Sequence, residues 1–151
     1  MRLYIASDHA GYSLKEHLKK ALEGEYKLAD FGPENEENVD YPDFALKVAK
    51  QVAAENGAIG ILVCGTGIGM AMAANKVRGI RAAVLYDEFS ARAAKEHNDA
   101  NVVCVGARTL DEKRAGKLVE VFLNSEFLGR KKEFERHARR IEKIAEIEGL
   151  L

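Results

Sequence analysis

The segment Cys64-Gly65-Thr66-Gly67-Ile68-Gly69 joins a nucleophilic side chain to three alternating glycines, directly after the apolar run Ile59 to Val63. Glycines at this spacing let backbone amides approach a ligand, and a helix that opens on such a turn attracts negative charge. The segment therefore reads as a cradle for an oxyanion or a phosphate. A thiol placed there is a usable base or nucleophile near neutral pH. Taken alone, Cys64 is equally well explained as a small buried cysteine closing a strand. The glycines discriminate little by themselves, because a dinucleotide-binding turn has a similar composition, although its full Gly-x-Gly-x-x-Gly spacing is absent.

Other groups fit chemistry less decisively. Asp8-His9, followed by Gly11, places a carboxylate and an imidazole after the first apolar run, where ordinary turn chemistry also explains the aspartate. His97-Asn98-Asp99 reads in isolation as a turn, with His97 a helix-end cation. Tyr41, before Pro42, packs over a helix start on the plain reading. Arg136, His137, Arg139 and Arg140 form the densest basic cluster. Arg136 and Arg140 stand one helical turn apart, a spacing that suits two guanidinium forks on a phosphate monoester, though a solvated helical face is the commoner meaning of such a run. Cys104 has no glycine cradle and reads as a structural thiol.

The elements that must position these residues alternate along the chain. Short apolar runs at Leu3 to Ala6, Tyr26 to Leu28, Ile59 to Val63, Ala82 to Leu85 and Asn101 to Val105 predict five strands. Between them, a capping box at Ser13 and Glu16 opens a helix that Gly24 closes, and Tyr41-Pro42 opens a second that ends at Asn56-Gly57. Further helices are predicted from Ile68 to Lys76, from Asp87 to Glu96, from a capping box at Thr109 and Glu112 toward Leu123, and over Lys132 to Glu148. The last carries a stripe of Phe134, Ala138, Ile141 and Ala145, which needs something to pack against and, being terminal, could meet a second subunit.

Alternation of this kind, with two near-continuous apolar strands, predicts an α/β fold: one domain over 1–151, a doubly wound, Rossmann-like five-stranded parallel sheet with helices on both faces and an extended C-terminal helix. Ligands bind outside the carboxyl ends of such strands, which selects Asp8-His9, Asp30 to Gly32, Cys64 to Gly69, Tyr86-Asp87 and Gly106 to Arg108 as functional candidates. Twenty-three Lys and Arg against 24 Asp and Glu leave a formal charge of -1, which argues against a nucleic-acid or acidic-membrane partner. No apolar run reaches membrane-span length, there is no signal-peptide pattern, and both cysteines read as free thiols, so a cytoplasmic protein is expected.

Six segments taken together resemble ribose-5-phosphate isomerase type B: Ser7-Asp8-His9-Ala10-Gly11, Val39-Asp40-Tyr41-Pro42, Cys64 to Gly69, Ala73-Ala74-Asn75-Lys76, Gly79-Ile80-Arg81-Ala82-Ala83 and His97-Asn98-Asp99-Ala100-Asn101. The resemblance implies a cofactor-free and metal-free aldose–ketose isomerisation through an enediolate, in the pentose phosphate pathway, between D-ribose 5-phosphate and D-ribulose 5-phosphate. Allose 6-phosphate and galactose 6-phosphate are the alternative substrates within the superfamily. By the same resemblance Cys64 moves the proton between C2 and C1, and Thr66 with the amides of Gly65, Gly67 and Gly69 stabilises the oxyanion. Asp8 and His97 assist ring opening and hydroxyl proton transfer. His9, Arg108, Arg136 and Arg140 hold the phosphate, and Tyr41 and Asn98 contact the sugar. If the basic segment aligns otherwise, Arg130 or Arg139 takes a phosphate role. The resemblance also implies a homodimer or homotetramer, with His97 and part of the basic set supplied by a neighbouring subunit. A nucleotide-binding module without chemistry is the alternative from another class; it fits poorly with a short loop lacking a Walker lysine.

Overall fold

The structure, a computed structural model, describes residues 1–149. Five strands, β1 (Arg2–Ser7), β2 (Lys27–Asp30), β3 (Ile59–Cys64), β4 (Ala82–Val84) and β5 (Val102–Gly106), form one all-parallel sheet in the order β2-β1-β3-β5-β4. Helices α1 (Tyr12–Leu22), α2 (Tyr41–Ala54), α3 (Ile68–Ala74), α4 (Glu88–Glu96) and α5 (Glu112–Leu123) follow the strands in turn. Two 3-10 turns, at Leu128–Arg130 and Lys132–Phe134, lead into α6 (Glu135–Gly149). The expected doubly wound architecture and the long C-terminal helix are both present.

Chain direction decides which face each helix covers. Moving from β1 to β2 and from β4 to β5 steps one way across the sheet, whereas β2 to β3 and β3 to β4 step the other way. Right-handed crossovers therefore place the intervening helices on opposite faces. Accordingly α1, α4 and α5 bury Leu14, Leu18, Ala91, Leu118 and Phe122 against Leu3, Ile5, Ile61 and Val103. On the other face α2 and α3 bury Val48, Ala49, Met70 and Ala74 against Tyr4, Ala6, Leu62 and Cys104. Strands β1 and β3 are neighbours whose chains leave toward opposite faces, and so are β3 and β5. The Cys64 loop thus lies between two crevices at the carboxyl edge, the place where ligands bind in open parallel sheets.

Several local expectations are corrected. Helix α1 is capped by the backbone of Gly11 and not by a Ser13–Glu16 box; Ser13 lies inside the helix, and the Glu16 carboxylate pairs with Lys15 and Lys19. Gly11 sits so close to Val63 that a Cβ there would meet the Val63 carbonyl oxygen at 2.5 Å, so tertiary contact sets where α1 begins. The same helix ends with Glu23, not Gly24, as its cap. Asp111, accepting from the Arg114 amide at 2.7 Å, caps α5, because the Thr109 hydroxyl is turned back onto the Gly106 carbonyl. The first turn expected of the last helix is 3-10, and its apolar stripe is only half covered. His137 is buried, Phe134, Ala138 and Ile141 are half-buried, and Ala145, Ile144 and Ile147 are exposed. Both sheet faces are already taken by α1 to α5, which leaves α6 little of its own chain to cover it.

Candidate active site

Cys64 ends β3 and is buried, as is Asp8 just after β1. The Gly67 amide donates to Cys64 Sγ at 3.1 Å, and the Ile68 amide to Thr66 Oγ1 at 3.3 Å, so both side chains are fastened over the loop that opens α3. Gly67 holds this turn in the left-handed region, with φ 79°, and a Cβ would meet the β5 backbone within 3.3 Å. A residue other than glycine would be strained there and short of space.

Neighbouring strands pin the loop from both sides. The Asp8 amide donates to the Val63 carbonyl at 3.1 Å, while Asp8 Oδ1 accepts from the Gly11 amide at 2.9 Å, which draws the carboxylate alongside the end of β3. On the other side the Ala107 and Arg108 amides donate to the carbonyls of Cys64 and Gly65, at 2.8 and 2.9 Å. The Arg108 guanidinium lies over Gly65, where a Cβ would meet Nη1 at 3.2 Å. The Tyr41 ring lies over Gly69, where a Cβ would meet Cζ at 2.7 Å. His9 Nδ1 accepts from the Val39 amide at 3.4 Å, which leaves Nε2 to carry the proton of the neutral ring. Asp8, His9, Tyr41, Cys64, Gly65, Thr66, Gly67, Gly69 and Arg108 are therefore brought together at the carboxyl edge.

His97 and Asn98 are not among them. They follow α4, which runs back along the sheet to its amino edge, where the Asn101 carbonyl accepts from the Gly60 amide. Cys64 lies four residues further along β3, roughly 13 Å away along the strand at about 3.3 Å per residue. The His97 ring stacks on His137, with centroids 4.5 Å apart and planes 1° from parallel. That contact places the start of α6, and with it Arg136 and Arg140, beside His97. Among the described residues these side chains form a second cluster on the same chain.

Sequence reasoning missed His137. Burial pushes its imidazole below the ordinary value, and the nearby His97, Arg136 and Arg140 push the same way. Its Nε2 is buried without a hydrogen-bond partner. The signal was its place beside Ala138, on the inner face between the flanking arginines, but it was masked by the charges around it.

Elsewhere, burial raises the Cys104 thiol well above its ordinary value, as suits the structural role expected for it. A cavity of about 520 Å³ at the amino edge is lined by Arg81, Lys95, Asp99 and Asn101 and, of the residues considered for the site, only by Arg130, the alternative phosphate arginine. No group of three or more His, Cys, Asp or Glu side chains among the described residues is placed to hold a metal ion. No described helix is long and apolar enough to cross a membrane.

Fold and crevice together define a doubly wound α/β protein that holds a thiol over a backbone cradle at the carboxyl edge of its central strand. The chain belongs to the ribose/galactose isomerase family, whose model matches residues 3–144. The solved ribose-5-phosphate isomerase B of Clostridium thermocellum is 46% identical, with a TM-score of 0.93 over 99% of this chain and 98% of that one. The Mycoplasma genitalium enzyme of the same name, solved with bound ribulose 5-phosphate, is 40% identical, with a TM-score of 0.91 over 98% and 96%. A ribose-5-phosphate isomerase B of Listeria innocua is 43% identical over 130 residues, 85% of this chain and 88% of that one.

Proposed function

We propose that the chain interconverts D-ribose 5-phosphate and D-ribulose 5-phosphate, in active sites each built from two copies of the chain. The observation that carries this reading is the Cys64 cradle, held between Asp8 and Arg108 at a crevice of the sheet, in a member of this family.

Once the sugar ring is open, the Cys64 thiolate takes the proton from C2. The electron pair left behind forms the C1–C2 double bond of an enediolate, and negative charge develops on O1. The Thr66 hydroxyl and the loop amides not engaged by Cys64 and Thr66 meet that charge, in the manner of an oxyanion hole. Return of the proton from Cys64 to C1, with the O2 proton relayed to O1 as the C2 carbonyl forms, gives the ketose. Asp8 and His97 serve ring opening and the hydroxyl protons. Tyr41 and Asn98 contact the sugar, and His9 and Arg108 hold the phosphate together with Arg136 and Arg140. His137, with its Nε2 unpartnered, joins that set.

His97 and its arginines complete the site from a neighbouring copy. Support comes from the opposite-edge placement of His97 and Cys64 within one chain, and from the exposed apolar side chains of Ile68, Met72, Tyr86 and Phe89 near the cradle. The reading places the chain in the cytoplasm, which agrees with two cysteines that are free thiols.

The test is a direct assay with ribose 5-phosphate, allose 6-phosphate and galactose 6-phosphate, each with and without chelator. Turnover of ribose 5-phosphate that ignores chelator is expected. Turnover of a six-carbon sugar alone would overturn the substrate, chelator sensitivity would overturn the metal-free mechanism, and a near-normal rate in Cys64→Ala would overturn the base.

A further inference from the structure

The turn that carries His97 and Asn98 is reversed by Asp99, the one described residue other than glycine with a positive φ, at 43°. A residue that ends a helix in this region is usually glycine, and any other pays in backbone strain unless its surroundings hold it. The Asp99 and Ala100 amides donate to the carbonyls of Lys95 and Ala94, at 3.1 and 2.8 Å, which closes α4.

What holds Asp99 is a clamp centred on Arg81. Arg81 Nε donates to the Asp99 carbonyl at 2.8 Å and Nη2 to its carboxylate at 3.2 Å, while Lys95 Nζ reaches the other carboxylate oxygen at 2.8 Å. Arg81 is itself fixed: its amide donates to Asn101 Oδ1 at 2.8 Å, and Asn101 Nδ2 donates to the Gly79 carbonyl at 2.8 Å. The Gly79 amide in turn donates to the Glu148 carboxylate of α6, at 3.0 and 3.2 Å, and α6 is the helix whose His137 stacks on His97. Arg81 and Lys95 thus grip the turn directly, while Asn101 and Glu148 of α6 hold the Gly79 to Arg81 segment that carries the clamp. Lysine in place of Arg81 could make one of the two contacts with Asp99 but not both, since it lacks the planar fork.

We propose that Arg81 and Asp99 are positioning residues for the isomerisation: the clamp holds the strained turn that aims His97 and Asn98 at the neighbouring copy's cradle. This rests on the proposed catalytic role of His97. It gives the Gly79-Ile80-Arg81 and Asp99-Ala100-Asn101 segments a part in the reaction through His97 and Asn98.

The test uses the full-length chain with ribose 5-phosphate. Arg81→Ala is expected to lower kcat about 30-fold with KM changed less than about threefold, since a displacement of about 1 Å at a catalytic group costs up to about 100-fold. Millimolar guanidinium should restore part of the rate, and Arg81→Lys should restore little. Asp99→Asn, which tolerates the left-handed region, should retain more activity than Asp99→Val, which does not. In a His97→Ala background the Arg81→Ala penalty should fall below about twofold, because the clamp acts through His97. An equal penalty in both backgrounds, or a change confined to KM, would overturn the proposal. The imidazole NMR signals of His97 separate the two readings. Retained activity in His97→Ala would sink the catalytic role of His97, yet the clamp itself would still fail only if those signals were unmoved by Arg81→Ala in a chain whose amide spectrum remained folded.

Discussion

Gly69 and Tyr41 show how closely the cradle is tied to single side chains. A methyl at position 69 would fall 2.7 Å from Tyr41 Cζ, which is half-exposed and can swing outward to make room. Gly69→Ala should therefore leave the fold intact, displace the ring from the proposed sugar contact, and raise KM about tenfold with a smaller loss in kcat. Steady-state kinetics with ribose 5-phosphate check this, and an unchanged KM would remove Tyr41 from the sugar site. Cys64→Ser is a sharper probe of the base. The hydroxyl is nearly isosteric but is far harder to ionise, so kcat should fall by about 1000-fold or more while KM moves little. His137 carries a stability signature. Its imidazole is held below the ordinary value by burial, so the folded state binds that proton less readily than the unfolded chain. The stabilising contribution is whole above the unfolded value of about 6.5 and is lost as pH falls through that value toward the folded one. Thermal melts between pH 8 and 5 should show a midpoint that drops with acid, and His137→Asn should flatten the drop.

At the scale of elements, hydrophobic period made the alternating strands and helices readable, because five short apolar runs separated by helical stripes admit few other folds. Caps were less readable. Ser13–Glu16 and Thr109–Glu112 both have the right letters, but the start of α1 is set by the contact between Gly11 and Val63, and the Thr109 hydroxyl is captured by Gly106. Neither contact lies within the four residues of the box itself: Val63 is remote in sequence, and Gly106 precedes the Thr109 to Glu112 window. The segment between β2 and α2, which delivers Val39 to His9 and Tyr41 to the cradle, gave no periodic signal, and the structure anchors it through a buried lysine. Lys15 Nζ donates to Asp30 Oδ2 at 2.6 Å and to the Pro33 carbonyl at 3.4 Å, and the Tyr12 hydroxyl donates to the Glu34 carbonyl at 3.0 Å. Burial would raise the Asp30 carboxyl, but hydrogen bonds from Lys15, Gly32 and Lys19 outweigh it and hold the carboxyl below its ordinary range. Its stabilising contribution is therefore present above about pH 4 and is lost as pH falls through the lower folded value. Asp30→Ala leaves the buried Lys15 ammonium with Glu16 as its remaining carboxylate, and should cost about 1.5 kcal/mol at neutral pH in urea melts. The variant's stability should also change less than the parent's below pH 4.

For the whole molecule, six short motifs pointed to one site, and the topology distributes them over two edges of one sheet. The order of elements carries that separation, since a helix between two parallel strands runs antiparallel to them and returns His97, at the end of α4, to the amino edge, whereas the motifs read one by one do not. If sites are shared, a chain lacking Cys64 and a chain lacking His97 fail for different reasons and can repair each other. In a dimer of one Cys64→Ala chain and one His97→Ala chain, one site receives both defects and the other receives neither. Equal mixing with free subunit exchange makes half of the dimers mixed, each with one intact site of two, so about one quarter of the parent activity should return. Each variant alone should remain near background. An exposed apolar face that holds the copies together should be sensitive to charge, so Phe89→Asp, at a position 70% exposed in the single chain, should shift the protein toward monomer in sedimentation and abolish the recovery. A mixture that stays at background while exchange is verified by mass spectrometry would mean that no site draws Cys64 from one copy and His97 from the other.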